Sequence, residues 1–222
     1  MKTAIFTSLL ATLPAALALP EVVAKPLPEG CASYPGYNAE TGVAGPWVLK
    51  LVNSENTAID GFSDTSHYSI SFNPRTDRKP TLRWGFINFP TRNDIAKNPL
   101  QCRDGKLLAW VPTDLTDAGA PTNYQWVPLV LSPYPYDASL MYKIDGTAPR
   151  IFEHYIDGEK QPGTFLGGYD NTTAWGLKYY PANVGSPRDY YYTRLLGPNS
   201  ADPTTGEKLN ANETRSFISI AA

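Results

Sequence analysis

The densest run of groups able to move protons is Glu153-His154-Tyr155-Ile156-Asp157, with two carboxylates, an imidazole and a phenol in one short stretch. These are the residue types that general acid–base chemistry uses. On a strand, Glu153, Tyr155 and Asp157 share one face, while His154 takes the other with Phe152 and Ile156. Carboxylates at i and i+4 of a straight strand stand roughly 13 Å apart, beyond the separations used in glycoside hydrolysis. Glu153, His154 and Asp157 are therefore weak catalytic candidates, and a carboxylate from another strand has to complete the pair.

His67 offers a second starting point. Asp64 precedes it by one turn's length and is placed to orient it, and Ser54, Ser63, Ser66, Ser69 and Ser71 supply nearby hydroxyls. No Gly-x-Ser-x-Gly elbow accompanies them, and the Asp64–His67 spacing equally suits a surface turn. Gly167-Gly168 lacks the lysine and helix of a phosphate-binding loop. With no His-x-His, no His-Glu-x-x-His and no close cysteine pair, the expectation is no metal site and no cofactor.

Aromatic residues are in excess, with 14 tyrosines and 5 tryptophans. Tyrosines cluster at Tyr134-Pro-Tyr136, Tyr179-Tyr180 and Tyr190-Tyr-Tyr192. Neighbouring residues of a strand face opposite sides, so the triple cannot bury all its rings in one core. Tyr134, Tyr136, Tyr180 and Tyr191 are the candidate ligand-binding residues, since a ring with a hydroxyl can stack on and hydrogen-bond to a sugar or peptide. The competing reading is ordinary sheet packing, which tyrosine also favours.

Strands must position these groups. Thr81-Leu-Arg-Trp84-Gly-Phe-Ile-Asn-Phe-Pro90 and Ala174-Trp175-Gly-Leu-Lys-Tyr-Tyr-Pro181 repeat one pattern, Trp-Gly, a large apolar residue, two variable residues, an aromatic and a proline. Each reads as a strand ended by a residue that cannot donate to a ladder, with its tryptophan anchoring a matching place in the core. Further strands are expected at 46–53, 67–73, 106–111, 124–131, 139–144, 150–156, 164–169, 189–196 and 215–220. No stretch keeps a helical apolar period, beyond a turn or two near Asp94 or Ala118. The Ile-Asp-Gly triplets at 59–61, 144–146 and 156–158, like Arg103-Asp-Gly105, read as tight turns and not calcium loops. The expected fold is all-β, a single-domain antiparallel β-sandwich of about eleven short strands. A β-trefoil or other closed β-barrel is the alternative, although a trefoil should show a third copy of the Trp-Gly unit.

Residues 1–18 have one lysine, an apolar run and a terminal Ala16-Leu17-Ala18, the pattern of a secretory signal. Residues 19–45 then read as an extended, proline-rich arm, and 46–222 as one β-rich domain. In an oxidising compartment Cys31 and Cys102 form one bridge, a staple contributing on the order of 3–4 kcal/mol by loop entropy. Asn171-Thr-Thr173 and Asn212-Glu-Thr214 are glycosylation sequons suited to exposed turns. A net charge of -2, with no basic cluster, argues against nucleic acid as partner. No later stretch is long and apolar enough to span a membrane.

The alanine- and leucine-rich leader and the proline-rich, cysteine-poor remainder resemble those of small exported fungal proteins, which implies an extracellular or cell-wall setting and no particular activity. Three functions stay open. They are recognition of a glycan or protein at the cell surface, hydrolysis by carboxylates near Glu153 and Asp157, and a non-catalytic structural or interaction role.

Overall fold

The computed structural model describes residues 18–72, 79–132, 138–182, 186–198, 200, 201 and 204–221. Residues 1–17 of the expected signal, most of the charged turn at 75–80, and Tyr134 and Tyr136 lie outside the described residues. The strands are β1 Val23–Pro26, β2 Tyr37–Asn38, β3 Val43–Val52, β4 Thr65–Phe72, β5 Pro80–Pro90, β6 Leu100–Arg103, β7 Lys106–Leu115 and β8 Pro121–Pro128. They continue as β9 Val130–Leu131, β10 Leu140–Tyr142, β11 Arg150–Ile156, β12 Glu159–Lys160, β13 Thr164–Gly167, β14 Ala174–Tyr180, β15 Tyr190–Leu195 and β16 Glu213–Ala221. Only three short 3-10 turns interrupt them among the described residues.

The protein is all-β, an antiparallel sandwich built, among the described residues, from one continuous 16-stranded network. That is more than the eleven strands expected, because ladders of two to four residues such as β1, β2, β9 and β12 are too short to carry a period. The arm over 19–45 is part of the sheet, with Val23 opposite Tyr155 and Tyr37 opposite Ala44. Its hydrogen bonds answer where the backbone polar groups of a proline-rich segment go.

The main path runs β8-β7-β6-β3-β16-β14-β15-β5-β10-β9. Three long strands branch it. β16 pairs β14 through Glu213–Phe217 and β13 at Ser219 and Ile220, while β3 lies along its other edge. β5 carries β4 on one edge and both β10 and β15 on the other, and β3 meets β6 and then β16. Such branching lets a single sheet fold back on itself and close over one core.

Alternation assigns the two faces. Leu49 and Leu51 of β3, Ile87 and Phe89 of β5, Trp175 and Leu177 of β14, and Ile218 and Ile220 of β16 all enter the central core. Residues one position away point outward, among them Phe86, Asn88, Tyr192, Arg194 and Phe217. The Cys31–Cys102 disulfide (S–S 2.04 Å) ties the arm to β6 beside Trp47, whose indole N–H donates to Pro35 O at 2.8 Å. Tyr34 stacks on Trp47 with centroids 5.3 Å apart, and burial pushes the Tyr34 phenol up to about 12.

Turn chemistry follows the Asp-Gly signals at Asp104-Gly105 and Asp157-Gly158, where both residues have positive φ and close two-residue hairpins. The triplet at 144–146 differs from its expected tight turn. Gly146 lies under β9, where a Cβ would come 2.2 Å from Leu131 O, and Thr147 pairs with Leu131. Close approach of two backbones, and not a positive φ, is what glycine supplies there. Among the described residues no helix is long and apolar enough to cross a membrane.

Candidate functional site

Two aromatic surfaces stand on the outward side of the sheet. The first spans β4, β5, β15 and β14. Register places His67 opposite Phe86, Thr65 opposite Asn88, Tyr190 opposite Pro90 and Tyr180 opposite Tyr190. The pleat therefore puts Trp84, Phe86, Asn88, His67, Tyr180, Tyr190 and Tyr192 on one face. His67 lies 4.5 Å from the Tyr190 ring, Tyr180 stacks on Tyr190 at 5.5 Å, and Phe86 meets Tyr192 edge-on at 5.4 Å.

His67 is held at both ring nitrogens. Its Nε2 lies 2.8 Å from Ser186 Oγ, and its Nδ1 contacts the side-chain amide of Asn88. Burial holds the imidazole below its ordinary 6.5, the Asn88 contact opposes this, and the Arg188 cation adds to the lowering. Ser186 is positioned by its own loop. Its Oγ donates to Arg188 O at 2.7 Å and accepts from Arg188 N–H at 3.1 Å. Asp189 secures the same loop, since Ala182 N–H donates to it at 2.8 Å and Tyr179 O–H at 2.9 Å.

The second surface is the β7–β8 hairpin, the last strand pair at one end of the sheet path. Trp110 faces Trp126 and Pro112 faces Tyr124, so all four lie on one side. Trp110 is 38 % exposed and Tyr124 45 %. The Trp110 ring centre lies 5.4 Å from that of Trp126 and 6.5 Å from that of Tyr124, with the planes of the latter pair inclined by 26°. Asp114, opposite Thr122, ends the same side with a polar rim. Seven paired positions and the Thr113 O–H bond to Asn123 O at 2.7 Å hold these rings on a fixed backbone.

No protein-family model and no curated protein sequence matches the chain.

The residues singled out from sequence fall in several places. Tyr180 belongs to the first surface, but Tyr191 points to the core side, where its hydroxyl accepts from Asn56 Nδ2 at 3.3 Å. Glu153 accepts from Lys160 and, at 2.9 Å, from Tyr155 O–H, and these two contacts hold its carboxyl below the usual range. His154 faces the other way and is 1 % exposed, its Nε2 2.8 Å from Thr173 Oγ1 and its ring stacked 3.7 Å from Phe165. Burial lowers its pKa to about 4. Asp157, with φ 50, sits in the β11–β12 turn beyond the strand. The structure thus does not gather Glu153, His154 and Asp157 into one cleft.

Asn171 and Asn212 are exposed and lie at positive φ. Asp64 does not orient His67. Its Oδ1 accepts from Leu49 N–H at 2.7 Å and its Oδ2 is buried with no partner, so burial keeps the carboxyl well above its ordinary pKa. Among the described residues no group of three or more His, Cys, Asp or Glu could hold a metal ion.

Trp110, Trp126, Tyr124, Asn88 and Ser186 were not singled out by sequence reasoning. Tyr124 and Trp126 do carry a legible signal, because an i, i+2 aromatic pair on a strand shares a face. Trp110 joins them only through the hairpin register. Asn88 and Ser186 meet His67 across separations of 21 and 119 residues, which no local pattern reveals.

Proposed function

We propose that the protein is an exported recognition protein that binds carbohydrate at the cell surface or cell wall through the Trp110–Trp126–Tyr124 surface, with Tyr180 in a second aromatic patch. The observation that carries this reading is the set of three rings side by side on one outward face of a rigid hairpin. A pyranose ring has an apolar C–H face and a polar rim of hydroxyls. Exposed indole and phenol rings stack against the first, while the Tyr124 hydroxyl and Asp114 can hydrogen-bond to the second. Exposed large aromatics grouped together on a soluble surface mark an interaction site more often than isolated ones do. The oxidised Cys31–Cys102 pair fits a protein that works outside the cell.

The hydrolase reading at Glu153 and Asp157 gains no comparable support, since Glu153 is neutralised by Lys160 and Asp157 lies in the turn. The deciding measurement is retention on insoluble glucan, xylan, mannan and chitin together with calorimetry on their soluble oligosaccharides. Wild-type protein is expected to bind at least one polymer, and the W110A/W126A double variant to bind at least tenfold more weakly with an unchanged near-UV spectrum. Equal binding by the folded double variant, or no binding to any of the polymers, would defeat the reading.

A further inference from the structure

We infer that Ser186, His67 and Asn88 form a nucleophilic centre that hydrolyses carboxylic esters. Three separate segments bring these side chains into line: β4 supplies His67, β5 supplies Asn88, and the loop before β15 supplies Ser186. Ser186 Oγ lies 2.8 Å from His67 Nε2, and the Asn88 amide meets His67 Nδ1 on the far side of the ring. A nucleophile within hydrogen-bond reach of a base, with that base oriented by a third group, is the arrangement by which serine and cysteine are activated on unrelated folds, with asparagine as the third member in some.

Two hydrogen-bond networks share these heavy-atom positions, because a side-chain amide turned by 180° exchanges donor for acceptor. In one, the Asn88 NH2 donates to Nδ1, Nε2–H donates to Ser186 Oγ, and the serine proton rests on Arg188 O. In the other, Nδ1–H donates to Asn88 Oδ1, and Ser186 O–H donates to the Nε2 lone pair. The second is the reactive network, and the same turn places the Asn88 NH2 in the buried position where Oδ1 has no partner in the first. Asn88 is fully buried, so its amide is fixed by the packing around it and serves as a positioning residue. Ser186 and His67 are the catalytic residues.

In the step itself, Ser186 Oγ attacks the ester carbonyl carbon as its proton passes to His67 Nε2. The ester C–O bond then breaks, and His67 returns that proton to the departing alcohol oxygen. Water, deprotonated by the same imidazole, attacks the acyl-serine, releases the carboxylic acid and restores the Ser186 hydroxyl. Phe86 and Tyr190 flank the imidazole, Tyr180 stacks on Tyr190, and these rings select for esters whose acyl or alcohol group is flat and apolar.

The test exposes the full chain to a fluorophosphonate serine probe and maps adducts by mass spectrometry, alongside hydrolysis of p-nitrophenyl acetate. One adduct on Ser186 is expected. S186A should show neither adduct nor hydrolysis, and H67Q should label at least 100-fold more slowly. N88A should slow both reactions, N88D should restore them, and nitrogen NMR of the wild-type protein should find the neutral His67 proton on Nδ1. Absence of an adduct on folded wild-type protein overturns the proposal, as does a proton on Nε2 with labelling indifferent to H67Q. S186A that lowers only the melting temperature, with the wild type unlabelled, assigns Ser186 to its loop alone. None of these readouts depends on glycan binding at Trp110 and Trp126.

Discussion

β5 and β14 carry the same Trp-Gly pattern and present it to opposite sides. In β14, Trp175 is fully buried in the core with its indole N–H donating to Leu166 O at 2.9 Å, and Gly176 faces outward. In β5, Gly85 faces the core and Trp84 faces outward, partly exposed beside Phe86 at 6.1 Å. The expectation that both tryptophans anchor the core therefore holds for Trp175 and fails for Trp84. Glycine does the same work in both strands, leaving a gap that a neighbour fills. A Cβ on Gly85 would sit 2.1 Å from the Tyr142 ring, and one on Gly176 would sit 2.3 Å from the Glu213 carboxylate. A strand's side-chain period is two, so a one-residue change of phase moves every side chain to the other face.

The side chain that covers Gly176 is also the most deeply paired charge of the outward face. Glu213 receives Arg194 Nε at 2.8 Å and Nη2 at 2.7 Å, and Arg194 also donates to Ser200 O at 2.6 Å and Lys208 O at 2.9 Å. Both side chains are almost wholly buried at 3 % and 1 % exposure. The pair thereby closes the long segment after β15 over the outward face of β14, whereas the corresponding face of β5 stays half open at His67. R194M should break this asymmetry most strongly. Leaving Glu213 buried without its partner is expected to cost about 3–5 kcal/mol in denaturant unfolding. A loss below about 1 kcal/mol would show that the segment is held by other contacts.

The two histidines extend the same contrast. His154 is sealed between Phe165 and Phe217, while His67 borders the open aromatic patch. The His154 pKa of about 4 lies below its ordinary 6.5, so the folded protein favours the neutral ring. Its contribution is then complete above pH 6.5 and falls away as the pH drops toward 4, because only the unfolded chain takes up the proton there. At about 1.4 kcal/mol per pH unit, the expected loss over that window is roughly 3 kcal/mol. Urea unfolding at pH 4 to 7 should show this slope in the wild type and a flatter one in H154Q. Identical slopes would mean that the ring is not sealed.

The smallest expected effect addresses the tryptophans themselves. W175F removes the donor to the Leu166 carbonyl and should cost about 1–3 kcal/mol. W84F leaves a comparable ring on a partly exposed face and should stay within about 0.5 kcal/mol. Equal melting temperatures for the two variants would restore the symmetric reading of the repeat.

Much of the strand pattern was legible because it is local. Tyr68, Ile70 and Phe72 alternate with His67, Ser69 and Ser71, and Asp104-Gly105 and Asp157-Gly158 supply the positive φ that two-residue hairpins require. The disulfide follows from there being only two cysteines. Strands β1 and β2 were not legible, since two to four residues among prolines acquire strand geometry only from the partner they dock on. The aromatic candidates divided for the same reason. Tyr180 and Tyr191 were both recognisable as strand tyrosines, but their neighbours on β5 and β16 decided which one faces out.

Sequence by itself determined the all-β class, the turns at Asp104-Gly105 and Asp157-Gly158, the single disulfide and the abundance of rings, because each depends on residue type or on separations of a few positions. Tertiary structure decided the phase of each strand and the company of each ring. It turned Trp84 outward and Trp175 inward, set Trp110 across from Trp126, and brought Ser186 and Asn88 to the two nitrogens of His67. Those outcomes depend on the register and branching of a sheet whose partners lie far apart in the chain, and a period of two has no means of recording which face will be covered.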